Sequence, residues 1–420
     1  MERKTMRKIK DARKKRNLKN VLVIAMLGVA ISARYWVGIV NCLNTTVYAF
    51  SYKYGFISRA FMGTVLRVMN VILNLFVPYD LLTYPGIRRF SMLLNTMFII
   101  MLLVFFYMCL NSAEEYMEHH LMVLMFVFSI FAFPEYLTEE NFGRSDICMA
   151  MVTLLGCYLL IKEKWEYLII PLSGLAVCIH QGYVLMFFNV LLVVSWCKIF
   201  DHEGKKRKKY ITIFAGSLVV ASVLFLYLNF FSHQNGAKFY DEIYDIASLL
   251  AHDGVVHTNL MMHEILGESP FVNEWAEHVH NFQEFPILVL LMLPYLAIAF
   301  RFFKNTIKDA EGIYKLKYLA VAVGSATILP DLIVKIDYGR WMFSIVFYYF
   351  VTILVLLALK DEIIVRNFNM EVARMKQKPV LAVALLIYPV LFTPFKDVFI
   401  CDLTNQITNY LVEFVGRLVG

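Results

Sequence analysis

Apolar runs recur along the chain at about 21–43, 88–110, 120–134, 147–162, 166–180, 183–200, 210–231, 286–303, 317–334, 341–360 and 380–400. A hydrocarbon core about 30 Å thick takes roughly 20 apolar residues per helical crossing. The pattern predicts an all-α fold, a polytopic transmembrane helix bundle of about eleven spans. The polar segments between the runs are of two kinds. Lys162 with Lys164, the cluster Lys205–Lys209, Lys304 with Lys308 and Lys315, and the stretch 360–378 are basic. The others mix both charges with Gly and His: Tyr54–Arg59, Glu139–Asp146, His180–Gly182, 232–285 and Lys335–Trp341. Basic loops stay in the cytoplasm, so the mixed loops fall together on the external face.

This alternation holds only if 44–87 stays outside as one loop. Its apolar run 61–77 then forms interfacial or re-entrant helices, with Arg59 and Arg67 on their polar side. The expected organisation is a basic cytoplasmic tail over 1–20, a transmembrane domain over 21–400 and an external segment over 401–420. The domain includes the external loops 44–87 and 232–285.

Composition agrees with a membrane class. Of 420 residues, 60% are hydrophobic and 17% charged, against about 45–50% and 25% in soluble domains. The net charge of +7 is set by the tail, where ten Lys and Arg stand against Glu2 and Asp11, leaving 30 basic and 31 acidic residues elsewhere. A basic tail directly before an apolar run is a topology signal, and no downstream groove or stacking module suggests nucleic acid as a partner. The run from Val21 exceeds a signal-peptide core, so it is expected to remain as a span. Six of the seven cysteines lie in or beside apolar segments and only Cys401 lies beyond them, a spacing that fits small core residues.

Candidate chemistry lies in the mixed loops. Glu140, Arg144 and Asp146 flank Gly143 just before a span, where ionisable groups are costly and usually functional. The carboxylates suit a base and the guanidinium a phosphate, although an Arg–Asp pair capping a helix is an equal reading. Asp337, Arg340 and Trp341 around Gly339 repeat the theme, with Trp341 either a sugar platform or an interfacial anchor. Arg59 is a third external guanidinium. His180, breaking an apolar run, is either an acid–base group or a helix–helix contact. The loop 232–285 carries six histidines and nine acids against the single Lys238, and reads as a solvated lid over short helices. Its His263-Glu264 and His278-x-His280 match no zinc motif, so neither metal nor other cofactor is expected. P-loop, dinucleotide and GxSxG signatures are missing from the sequence.

The order of a short basic tail, a first span, a long external loop of interfacial helices and about ten further spans resembles the GT-C class of polytopic glycosyltransferases. The external arginines also look like those of Wzy-type polysaccharide polymerases. The resemblance implies a polyprenyl-phosphate-linked sugar donor, a glycan acceptor, a base on the external face and a role in cell-surface polysaccharide synthesis at the plasma membrane. No acid lies between Val21 and Tyr79, where the GT-C class keeps its acidic motif, so the base falls to Asp146 or Glu140, with His180 beside them. Arg59, Arg144, Asp337, Arg340 and Trp341 would bind substrate. The competing expectation is a flippase or transporter of the same lipid-linked sugars, with no chemistry of its own.

Overall fold

The computed structural model describes residues 39–112, 142–267, 284–330 and 338–381, with positions 21, 25, 383 and 384 beside them. The expected spans 21–43, 120–134 and 380–400 therefore lie largely outside the described residues, which are helical with no strand among them. Helix α1 spans Cys42–Ala49 and starts where the Asn41 side chain accepts the Asn44 amide at 2.9 Å. A single 3-10 turn, Tyr52–Tyr54, leads to α2, Ala60–Asn74. This helix crosses the end of α1 so closely that a Cβ on Gly63 would stand 1.9 Å from the Phe50 carbonyl oxygen. Helix α3, Tyr84–Ser112, is followed by α4, Asp146–Lys162, and α5, Ile169–Ile179. Two pieces, α6 (Tyr183–Met186) and α7 (Phe188–Asp201), precede the long α8, Gly204–Phe230.

Residues 232–267 fold into short helices that form a cap. These are α9 (His233–Gly236), α10 (Tyr240–Leu250) and α11 (Thr258–Met261), the last running into a π-helical turn, Met262–Leu266. The chain resumes in α12, Glu284–Asp309, with Pro294 inside it, then α13, Tyr314–Val323, α14, Tyr338–Ala358, and α15, Glu362–Gln377. Asp361 caps α15 by accepting the Ile364 amide at 3.0 Å, and the axis turns by 114° between α14 and α15.

Among the described residues two helices, Tyr84–Leu110 and Gly204–Phe230, are long and apolar enough to cross a membrane; taking the bent α14–α15 pair as one span gives a third. Both long helices turn exposed apolar side chains outward, Ile100 and Val104 on one and Val219, Val223 and Phe230 on the other. An eleven-span bundle is thus not what helix length alone delivers. The run 183–200 breaks at Phe187, and 317–334 tightens into a 3-10 stretch at Gly324–Ile328. The second break has a visible cause. Tyr348 Oη donates to the Val321 carbonyl at 2.8 Å, Tyr349 Oη to that of Ala322 at 2.8 Å, and Asn189 Nδ2 to that of Gly324 at 3.2 Å. Side chains take up the carbonyls that a continuing helix would use.

Charged groups collect at the two ends of this antiparallel packing. At one end Lys198, His202 and Lys206 surround Glu163, and Lys209 meets Glu166 at 2.6 Å. There, too, buried Lys317 reaches Asp201 at 2.5 Å and Asp361 at 2.6 Å. Hydrogen bonding from Lys198, with Lys206 adding to it, holds the Glu163 carboxyl down at about 2 despite its partial burial. The loops here hold the Lys205–Lys209 cluster, so this is the basic end. Asp146, at the other end of α4, is about 24 Å from Lys162 at 1.5 Å per residue. Asp146, His180 and Arg340 all lie at helix ends remote from the basic loops, and the cap lies over them.

Candidate functional site

The site is built on a loop that two helices hold from below. Tyr48 Oη donates to the Gly143 carbonyl and Asn44 Nδ2 to that of Phe142, both at 2.9 Å, so α1 fixes the segment before α4. Gly143 has φ +89°, and a Cβ there would lie 2.9 Å from Ser91 Oγ on α3. Only glycine fits both conditions without strain. The segment then delivers Arg144 and Asp146, both buried, with Asp146 the first residue of α4, where the helix dipole favours a carboxylate.

From the far side α14 brings Arg340. Its Nε donates to Asp146 Oδ2 at 2.8 Å and a terminal nitrogen lies 2.6 Å from the same oxygen, with 9% and 2% of the two side chains exposed. Where the sequence suggests an Arg144–Asp146 pair capping this helix, Asp146 pairs with Arg340 instead. Burial of both members makes the pair expensive to break.

His180 ends α5, and its Nδ1 accepts the Gly182 amide at 2.8 Å, which leaves Nε2 to carry the proton of the neutral ring. Three guanidinium groups, Arg59, Arg340 and Arg144, and the carboxylate of Glu264 act electrostatically on this one imidazole. Asp146 and Arg340, 194 positions apart, are thus in contact, and the charges of Arg59, Arg340 and Arg144 reach His180.

The cap completes it. Glu264, 4% exposed on the π-turn, sits with Oε1 2.8 Å from Arg59 Nε, at an angle that makes the contact an ion pair more than a directed hydrogen bond. Gln181 Nε2 donates to both Glu264 oxygens at 3.3 Å, and Gln181 Oε1 accepts Ser58 Oγ at 2.8 Å. Burial pushes the Glu264 carboxyl up, but Arg59, with His263, Ser58 and His180, outweighs it and holds the group below its ordinary value. His257 caps α11 by accepting the Leu260 amide at 3.1 Å, and its own amide donates to Thr46 Oγ1 on α1 at 3.1 Å. Burial, then Arg59 and Arg144, hold its ring below the ordinary histidine value.

Several expectations change. Arg59 does not lie on the polar side of an interfacial helix but turns inward to Glu264, with a left-handed φ of 57° before α2; Arg67 donates to the Ala49 carbonyl at 2.9 Å. Trp341 is 5% exposed, packed in the bundle rather than anchored at an interface. The stretch 232–267 is less a solvated lid than a docked cap, since Ile243, Ala247, Leu250, Met261 and Ile265 are buried. Glu264 is engaged by Arg59 and Gln181 and does not pair with His263 as a metal ligand. Glu140, Asp337 and the pair His278 and His280 lie outside the described residues. The sequence reading missed Gln181 and Glu264 as site members, although Gln181 follows His180 at the same helix break.

Compared with family models, with curated proteins and with solved structures, the chain matches none.

Proposed function

We propose that the protein is a polytopic plasma-membrane glycosyltransferase or polymerase that takes sugars from a polyprenyl-phosphate carrier on the external face and passes them to a glycan acceptor. The observation that carries this reading is the buried Asp146–Arg340 pair, with Arg59 held by Glu264 and Gln181, next to His180, on the same Glu264 carboxylate, at the end of the bundle remote from the basic loops. Fixed guanidinium groups at headgroup depth suit a lipid phosphate whose hydrocarbon tail stays in the bilayer. On this reading the basic end and the N-terminus are cytoplasmic, and the eleven apolar runs cross the membrane, some as broken helices.

In the reaction the acceptor hydroxyl oxygen bonds to the anomeric carbon and gives its proton to a carboxylate. The bond from that carbon to the phosphate oxygen breaks, and its electron pair leaves with the carrier phosphate, which the arginines stabilise as charge builds. Asp146, which also holds Arg340, is our choice for the base, with Glu140 next in sequence and Asp337 at the sugar. Ion pairs tie the helices at both ends of the bundle, which favours a fixed site over the alternating access a flippase needs.

The test is sugar transfer from a polyprenyl-phosphate-linked donor by the reconstituted full chain. Arg144→Ala, Arg340→Ala and Asp146→Asn should each lower it, the last by about 10²–10⁴-fold per folded molecule. Wild-type transfer in all three variants overturns the reading. Carrier binding and translocation without any transfer by the wild-type chain gives the site to a flippase instead.

A further inference from the structure

An apolar crevice lies at the basic end. Helices α12, α14 and α15 border this open crevice of about 80 Å³, lined by Tyr295, Ala299, Phe302, Phe350 and Met375 among others. Every lining group is apolar or aromatic except Glu371. That carboxylate is buried and bracketed by two arginines. Arg301 donates from Nε at 3.0 Å to each of its oxygens, and an Arg374 nitrogen lies 2.6 Å from Oε1. Both guanidinium-bearing side chains remain nearly half exposed, at 47% and 46%.

The trio therefore presents two cations against one carboxylate at the edge of an apolar crevice. Helix α15 carries a mixed sequence and leaves α14 at 114°. Lys376 and Lys378, both exposed, extend the positive charge past its end. An occupant must supply hydrocarbon to the crevice and negative charge to the arginines.

We propose that an anionic phospholipid from the leaflet at the basic end lays part of one acyl chain in this crevice, with its phosphate on Arg301 and Arg374. The site is separate from the Arg59–Arg144–Arg340 cluster, which lies at the other end of α14, and it does not depend on the function proposed for that cluster. Glu371 keeps the two guanidinium groups apart and oriented when the lipid is absent, and lowers the local positive charge by one.

Native mass spectrometry of the delipidated full chain, supplied with phosphatidylglycerol or phosphatidylcholine of identical acyl chains, tests this. The wild-type chain should retain phosphatidylglycerol at least tenfold more than phosphatidylcholine. Arg301→Gln with Arg374→Gln and Glu371→Gln, which removes all three charges and leaves none buried alone, should erase that preference. Ala299→Trp, which fills the crevice, should remove retention of both lipids, while Glu371→Gln alone should raise phosphatidylglycerol retention, an effect a purely structural ion pair would not give. Equal retention of the two lipids by the wild-type chain, or an unchanged preference in the triple variant or in Ala299→Trp, overturns the proposal. No retention at all means that the crevice is filled by the chain itself, and overturns it too.

Discussion

Replacing Asp146 by Asn leaves the buried Arg340 guanidinium without the carboxylate oxygen on which two of its nitrogens converge, at 2.8 and 2.6 Å. Two unit charges about 4 Å apart attract by about 4 kcal/mol at an effective dielectric constant near 20. Measured losses on removing one member of a buried pair are similar, about 3–5 kcal/mol. Asp146→Asn and Arg340→Gln should each fall in that range. The double replacement removes both charges together and should cost well under the sum of the two, with a coupling energy near the upper end of the roughly 0.5–3 kcal/mol seen for contacting residues. Unfolding of the full chain in mild detergent, followed by tryptophan fluorescence over a denaturant titration, measures all four corners of the cycle. Additivity within about 0.5 kcal/mol would refute the pair as an energetic unit. The same result bears on function, because transfer by Asp146→Asn has to be referred to the folded fraction before the lost charge is assigned a chemical role.

Three shorter expectations follow from the same geometry. Gly143→Ala puts a Cβ against Ser91 Oγ at φ +89° and should cost about 1–3 kcal/mol in the same unfolding assay; an unchanged midpoint would mean the loop before α4 relaxes freely. Glu264 and His257 both have folded-state values below their ordinary ones. Each contributes stability above its unfolded value, about 4.3 for Glu and 6.5 for His, and loses it as the pH falls through the lower folded value. Proteolysis within 232–267 should therefore quicken on acidification from neutral, and Glu264→Gln should abolish the lower step; a cap that loosens only at alkaline pH would contradict this. Reporter fusions at Gly204 and Gly254 should report cytoplasm and exterior respectively, and both on one side would break the proposed topology.

The apolar pattern located most helices because burial in a bundle and burial in lipid select the same residues. The run 147–162 is α4 almost to the residue, and 210–231 is the apolar part of α8. Where it failed, a side chain from elsewhere intervened. Nothing near Gly324 announces that Tyr348 and Tyr349, more than twenty positions on, take the carbonyls of α13. The same holds for the site. His180 stands out because it interrupts an apolar run, and Arg144, Asp146 and Arg340 because they sit beside glycine at the ends of such runs, where an ionisable group needs a reason. Glu264 did not, since it sits among other acids in a polar stretch and is turned inward by a π-helical residue count that a 3.6-residue period does not anticipate. The pairing of Asp146 with Arg340 rather than Arg144 is a matter of helix packing, which local spacing cannot express.

The two ion pairs of the site join residues far apart in sequence, Asp146 to Arg340 across 194 positions and Arg59 to Glu264 across 205. A chain is made from its N-terminus, so Arg59 exists long before its carboxylate, and at roughly 5–20 residues per second the interval is about 10–40 s. Throughout that time the nascent protein carries an uncompensated guanidinium beside apolar segments. The other carboxylate of the site, Asp146, is matched only when α14 arrives. Completion of the site thus waits on α14, and a chain halted before residue 340 would hold Asp146 without its partner.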